Sequence, residues 1–186
     1  MELDYIKSQT LDKMPFAKAE YEDCSFTNCD FSNADTSGSS FADCTFTSCN
    51  LSLAKLNGTA FRDVIFKDCK MMGIQFGVCS EFALSFSFDG CILDHSSFYK
   101  LKLKKTVLKD CKLTEADFTE TDLSEAIFNN CDLTGATFEN TNLEKADLRL
   151  ALNYSIHPET NRIKKAKFSL DGLPGLLDRY GIEVEN

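Results

Sequence analysis

Nine cysteines and two histidines are the side chains of this 186-residue sequence best suited to chemistry. A thiolate becomes a catalytic nucleophile when a base stands beside it. Thiolates and imidazoles hold zinc when they come in short pairs such as Cys-x-x-Cys. His95 and His157 fit neither arrangement, and no Cys-x-x-Cys occurs. The cysteines instead recur at a spacing of twenty: Cys24 and Cys44, then Cys29, Cys49 and Cys69, then Cys91, Cys111 and Cys131, with Cys79 alone outside the series. Such cysteines read first as small buried hydrophobes. With no Gly-rich phosphate loop either, no catalytic residue, cofactor or metal is expected, and the chain reads as a non-enzyme.

The elements that place these cysteines follow a period of five. From Phe16 the series runs Phe16, Tyr21, Phe26, Phe31, Thr36, Phe41, Phe46, Leu51, Leu56, Phe61, Phe66, Met71 and Phe76. It slips by two residues and resumes as Phe88, Leu93, Phe98, Leu103, Leu108, Leu113, Phe118, Leu123, Phe128, Leu133, Phe138, Leu143 and Leu148. Two residues before each of these, 21 of 26 positions are Ala, Cys, Ser or Thr. A period of five matches neither a helix at 3.6 nor a strand at 2.

This pattern resembles the pentapeptide-repeat family, whose consensus runs Ala-(Asp/Asn)-Leu-X-X; Ala116-Asp117-Phe118, Thr121-Asp122-Leu123, Cys131-Asp132-Leu133 and Ala146-Asp147-Leu148 are close matches. The resemblance implies an all-β fold, a right-handed quadrilateral β-helix with four pentapeptides to a coil. Large central residues would fill the axis and small ones the inner corners. Stability then comes from stacking coil on coil. Residues 1–13 are expected to form an N-terminal cap segment, 14–151 the β-helix, and 152–186 a C-terminal capping and dimerisation segment.

Three breaks interrupt the rule. Thr36 puts a polar group at an axial position, as a bulge or a small polar pocket. Near 77–87 twelve residues separate Phe76 from Phe88, about seven more than one step. They form either a projecting contact loop carrying Gly77, Val78, Cys79, Glu81 and Phe82, or a packed corner with Phe82 tucked in. At the end, Ile163–Phe168 reads as strand-like, Leu170–Tyr180 as helical with an apolar stripe of Leu173, Leu176, Leu177 and Tyr180, and Gly181 as a stop before a short strand. A solenoid needs its open end covered, and such a stripe can also meet its twin across a two-fold axis.

The succession Asn161-x-Ile163-x-x-Ala166-x-Phe168-Ser169-Leu170-x-Gly172-Leu173-x-Gly175-Leu176-Leu177-x-x-x-Gly181-Ile182-x-Val184 resembles the C-terminus of Qnr-type quinolone-resistance and microcin-immunity proteins. That resemblance implies a homodimer through a C-terminal α-helix and strand, with Phe168, Leu173, Leu176, Leu177, Tyr180, Ile182 and Val184 holding it. It also implies an acidic, DNA-mimicking rod that binds DNA gyrase and possibly topoisomerase IV, countering quinolones or peptide toxins. A scaffold for an unrelated protein is the alternative.

The net charge of −9 argues against nucleic acid as a direct ligand. Residues 113–151 carry nine acids against two bases, and Glu115, Asp117, Glu120, Asp122, Glu125, Asp132, Glu139, Glu144 and Asp147 are the expected partner-binding acidic face. The competing reading is a merely polar exterior. Between them and the N-terminal half lies a belt of Lys100, Lys102, Lys104, Lys105, Lys109 and Lys112. It would form salt bridges within or between chains, or meet an acidic patch on the partner. No signal-peptide pattern and no apolar run of roughly 20 residues is found, so a cytoplasmic, membrane-free protein is expected.

Overall fold

The computed structural model describes residues 4–182. The chain winds as a right-handed quadrilateral β-helix, a stack of parallel ladders on four sides. The first side carries β1 (Asp4–Lys7), β3 (Ala19–Glu22), β5 (Ser40–Ala42) and β7 (Ala60–Arg62), hydrogen-bonded in that order. The second carries β2 (Thr10–Asp12), β4 (Ser25–Thr27), β6 (Thr45–Thr47), β8 (Val64–Lys67), β9 (Phe86–Asp89), β10 (Val107–Lys109) and β11 (Ile127–Asn129). On the third and fourth sides the rungs shrink to single bridges, such as Lys112↔Asp132 and Asp117↔Thr137.

A side this short has no stability as an isolated strand, so its backbone groups pair with the coils above and below. Asp132 N donates to Cys111 O at 3.0 Å, and Leu133 N to Leu152 O at 2.9 Å. The axial residues stack with their planes nearly parallel. Tyr21 lies on Phe41 (5.2 Å between ring centroids, 3°), Phe26 on Phe46 (4.5 Å, 8°) and Phe98 on Phe118 (4.9 Å, 5°). Offset stacks of this kind contribute beyond their burial alone.

Both ends extend the coil. β1 and β2 pair with β3 and β4 at an offset of fifteen residues (Tyr5↔Glu20, Thr10↔Ser25), so the first coil is one pentapeptide short. Phe16 reaches Phe31 (5.7 Å) and Phe41 (6.5 Å), the rings on the sides that flank Thr36. Thr36 itself is buried without a bulge. Its hydroxyl donates to Lys55 O at 3.0 Å, while Thr59 Oγ1 donates to Thr36 O at 2.9 Å. At the other end the strand-like Ile163–Phe168 is a further stretch of coil, joined through Asn142↔Arg162 and Asp147↔Lys167.

Two expectations are corrected. The break near 77–87 adds two residues, not seven: Val64 pairs with Phe86, Lys70 with Ile92 and Gln75 with Ser97, an offset of 22 where the coils beyond keep 20. The span from Phe76 to Phe88 contains one whole side that lacks its own axial residue. Phe82 points outward there, and Phe86, from a corner position, fills the axis against Phe76 (5.3 Å) and Phe88 (5.1 Å).

The second correction is at the end. The expected C-terminal α-helix is absent among the described residues, and two 3-10 turns, Leu173–Leu176 and Asp178–Tyr180, stand in its place. Pro174 lacks a donor and Gly172 and Gly175 disfavour a longer helix. Each turn closes through an i→i+3 bond, Leu177 N to Pro174 O and Gly181 N to Asp178 O. Gly181 ends the second turn in the left-handed conformation (φ 60°), as a stop glycine does. The short strand expected after it, with Val184, lies outside the described residues.

Candidate partner-binding surfaces

Acids in a solenoid can act together only if they share a side or a corner. The nine acids between 115 and 147 do not. Asp122 and Glu144 lie on the first side, Asp147 on the second, Asp132 on the third, and Asp117 and Glu139 on the fourth. Glu115, Glu120 and Glu125 occupy three different corners, each in the left-handed conformation (φ 54°, 56° and 61°).

Each of the nine also has an intrachain partner. Glu115 faces His95 (3.2 Å), Glu120 Lys100 (3.5 Å), Glu125 Lys104 (3.3 Å) and Glu144 Arg162 (2.8 Å); Glu139 pairs with Arg179. The aspartates cap the turn of their own pentapeptide. Thr119 N donates to Asp117 (2.9 Å) and Ser124 N to Asp122 (2.9 Å). The Thr134 hydroxyl (2.6 Å) and Asn153 (2.9 Å) hold the Asp132 carboxyl below its usual range. Arg149, at 2.7 Å, does the same for Asp147.

The lysine belt explains part of this pairing. Its ammonium groups bridge neighbouring coils, Lys100 to Glu120, Lys104 and Lys105 to Glu125, Lys109 to Asp89 (3.1 Å) and Lys102 to Glu81 (4.0 Å). These are cross-coil salt bridges within one chain. Exposed pairs contribute little stability each, but they flatten the potential of the coils they join.

Negative charge is left uncompensated elsewhere. Asp23, Asp43 and Asp63 follow the axial residues Tyr21, Phe41 and Phe61 by two positions and stack along one corner, all left-handed (φ 53°, 52° and 52°). Their hydrogen-bond partners are neutral where present, Ser8 for Asp23 (2.8 Å) and Ser85 for Asp63 (2.7 Å), and no Lys or Arg nitrogen lies within 4 Å of the three among the described residues. The sequence reading missed this edge, although aspartate at a spacing of twenty was there to be seen.

A model of the pentapeptide repeat region matches residues 19–81 and 80–154. The chain is a pentapeptide-repeat protein. No curated protein sequence matches it. Among solved structures, this pentapeptide-repeat protein is similar to full-length QnrB1, a plasmid-mediated fluoroquinolone resistance protein, at 19% identity and a TM-score of 0.51, over 96% of this chain and 100% of that one. It is also similar to HetL, a pentapeptide repeat protein involved in heterocyst differentiation regulation from the cyanobacterium Nostoc sp., at 15% identity and a TM-score of 0.44, over 89% and 83% of the chains.

In the pentapeptide-repeat coil the six cysteines from Cys29 to Cys131 form one file, because the offset of 22 brings Cys69 beneath Cys91. All nine cysteines are buried free thiols. Cys69 donates to Phe46 O at 3.5 Å and Cys91 to Phe66 O at 3.4 Å, the bonding of neutral thiols. Burial pushes the thiols of Cys44 and Cys79 up, to about 11 and about 12. A nucleophile needs the opposite shift, so Cys44 and Cys79 are unsuited to that role.

At the break, Gly77 sits under the next coil, where a Cβ would come within 3.0 Å of Tyr99 O; Cys79 faces inward; Glu81 pairs with Lys102. Val78 is half exposed and Phe82 is 85% exposed, so Phe82 is not tucked in. In the C-terminal segment Phe168 packs on Tyr154 (5.7 Å) and Leu176 on the core, while Leu177 is half buried. Leu173, Tyr180 and Ile182 are exposed. No helix among the described residues is long and apolar enough to cross a membrane.

Proposed function

We propose that this protein is a non-enzymatic, cytoplasmic binder of type II topoisomerases, DNA gyrase above all and topoisomerase IV second, that protects them from quinolones or peptide toxins or inhibits them. The observation that carries the reading is the edge of Asp23, Asp43 and Asp63, a row of carboxylates with no Lys or Arg partner among the described residues, on a rod whose residues 1–99 hold 14 acids against 7 bases. Such a row presents a DNA-binding saddle with charges at a regular pitch, roughly one per 4.8 Å rung. The fold is shared with QnrB1, a fluoroquinolone resistance protein, and a role in countering quinolones accords with that likeness.

The acids at 115–147 act as a secondary face: six of them must first release a basic partner, and only Asp117, Asp122 and Asp132 have neutral partners alone. Val78 and Phe82 supply an apolar contact beside the rod. Leu173, Tyr180 and Ile182, carried on Phe168, Leu176 and Leu177, form the surface for a second copy. The lysine belt favours a second reading, an adaptor for an unrelated protein, because a uniform DNA mimic has no use for it. Pull-down of purified gyrase at two salt concentrations separates these readings: salt-sensitive capture supports the first, and no capture at either salt leaves the second.

A further inference from the structure

The C-terminal end of the rod reverses the charge of the rest. Residues 145–179 hold seven bases and four acids, net +3, against a net −7 over residues 1–99. Lys145 and Lys165 occupy successive positions of one corner, both left-handed (φ 61°), so they project from the same edge one rung apart. Arg162 and Lys164 flank them on the first side and Lys167 on the second, all exposed.

The neighbouring carboxylates are already taken. Glu125 is held by Lys104 (3.3 Å) and Lys105 (3.9 Å), and Asp147 by Arg149 (2.7 Å), with Lys167 only at 3.9 Å. Arg162 is bound to Glu144 (2.8 Å). Lys145, Lys164 and Lys165 have no carboxylate within 4 Å among the described residues. An open trough of about 410 Å³ is lined by Lys145, Lys165 and Lys167, by the half-exposed Ile127, and by the carboxylates Glu125 and Asp147, both held by other cations.

We propose that this trough binds the phosphate backbone of a nucleic acid. Ammonium groups are compact charges with three rotatable donors, suited to phosphate oxygens without reading a sequence. A row of them along an edge, one rung apart, fits the regular spacing of a phosphate backbone. The site is independent of any topoisomerase contact. It runs against the expectation from net charge because basic side chains concentrate at the C-terminal end of the rod, while the net −7 of residues 1–99 lies toward the other end.

The test is fluorescence anisotropy with a labelled short DNA duplex. Contacts to about three phosphates predict binding that weakens about 40-fold between about 50 and 200 mM salt. Lys145→Gln with Lys165→Gln is expected to weaken binding at least about tenfold at the lower salt, about one phosphate contact or more. Lys100→Gln with Lys109→Gln removes the same charge from the belt and is expected to change it less than about twofold, since those lysines are engaged by Glu120 and Asp89, away from the trough. All four side chains are exposed, and circular dichroism checks that both variants fold. Equal losses from the two double variants would overturn the site. So would absent binding at the lower salt, or equal competition by polyglutamate of matched charge.

Discussion

Phe66 and Phe88, twenty-two residues apart, stack with ring centroids 5.4 Å and planes 14° from one another. The break between them has therefore been absorbed without disturbing the axial column. On the intervening side Phe82 lies exposed, and Phe86 fills the axis while keeping only 5% of its surface exposed.

Truncation should separate the two rings. Phe86→Ala opens a cavity at the axis and is expected to cost about 3–5 kcal/mol. Phe82→Ala removes an exposed ring and should stay within about 0.5 kcal/mol. Urea unfolding monitored by circular dichroism gives both values. If Phe82 instead contacts a partner, its loss should appear in binding and not in stability.

Alkaline pH should weaken the fold through the buried thiols. Cys44 and Cys79 have folded pKa values raised to about 11 and about 12, above the value near 9.0 of an exposed thiol. The stabilisation is complete below pH 9 and is lost as pH rises through 11, because the unfolded chain releases the proton first. For Cys44 the rise from 9.0 to about 11 is worth about 2.7 kcal/mol at most. Thermal melts from pH 8 to 11 should show the melting temperature falling, and Cys44→Ala should flatten that fall.

The column of large residues, the file of small ones and the twenty-residue coil were legible because axial stacking leaves a strict period in the sequence. The size of the break was not. Counting from Phe76 to Phe88 assumes that every side contributes an axial residue, and only coordinates show Phe86 serving from a corner. Pairing was equally hidden: Arg179 meets Glu139 across forty residues, a contact that no local pattern announces. The helix assigned to Leu170–Tyr180 rested on apolar spacing, whereas Gly172, Pro174 and Gly175 decide the backbone there. Gly172 and Gly175 also seat the segment, because a Cβ on either would lie within about 2 Å of Tyr154 (2.0 Å from its hydroxyl, 2.1 Å from its carbonyl oxygen).

That close fit makes the C-terminal segment separable. Gly175→Ala is expected to dislodge residues 170–182 while the coil stays folded, so hydrogen exchange should rise there and hardly change at Leu108 or Phe128. For the proposed association of two copies, Leu173→Asp is the clean probe, since Leu173 is exposed. Leu176→Asp would also disturb the core it packs against. Light scattering showing the same mass for Leu173→Asp and the unaltered protein would remove Leu173 from the contact.

Charge placement predicts unequal effects on partner binding. Replacing Asp23, Asp43 and Asp63 by Asn should weaken binding of a topoisomerase and reduce its salt dependence. Replacing Glu139 and Glu144 by Gln should do less, because Arg179 and Arg162 already neutralise them. Titration at two ionic strengths reads both. Equal losses would return the acidic face to residues 115–147.

The most direct test is a DNA gyrase supercoiling and cleavage assay, titrating the purified protein with and without a fluoroquinolone. Fewer drug-stabilised breaks, at protein levels that leave supercoiling intact, are the expected result. Unchanged breaks and unchanged supercoiling across the titration, with gyrase and with topoisomerase IV, would contradict topoisomerase binding.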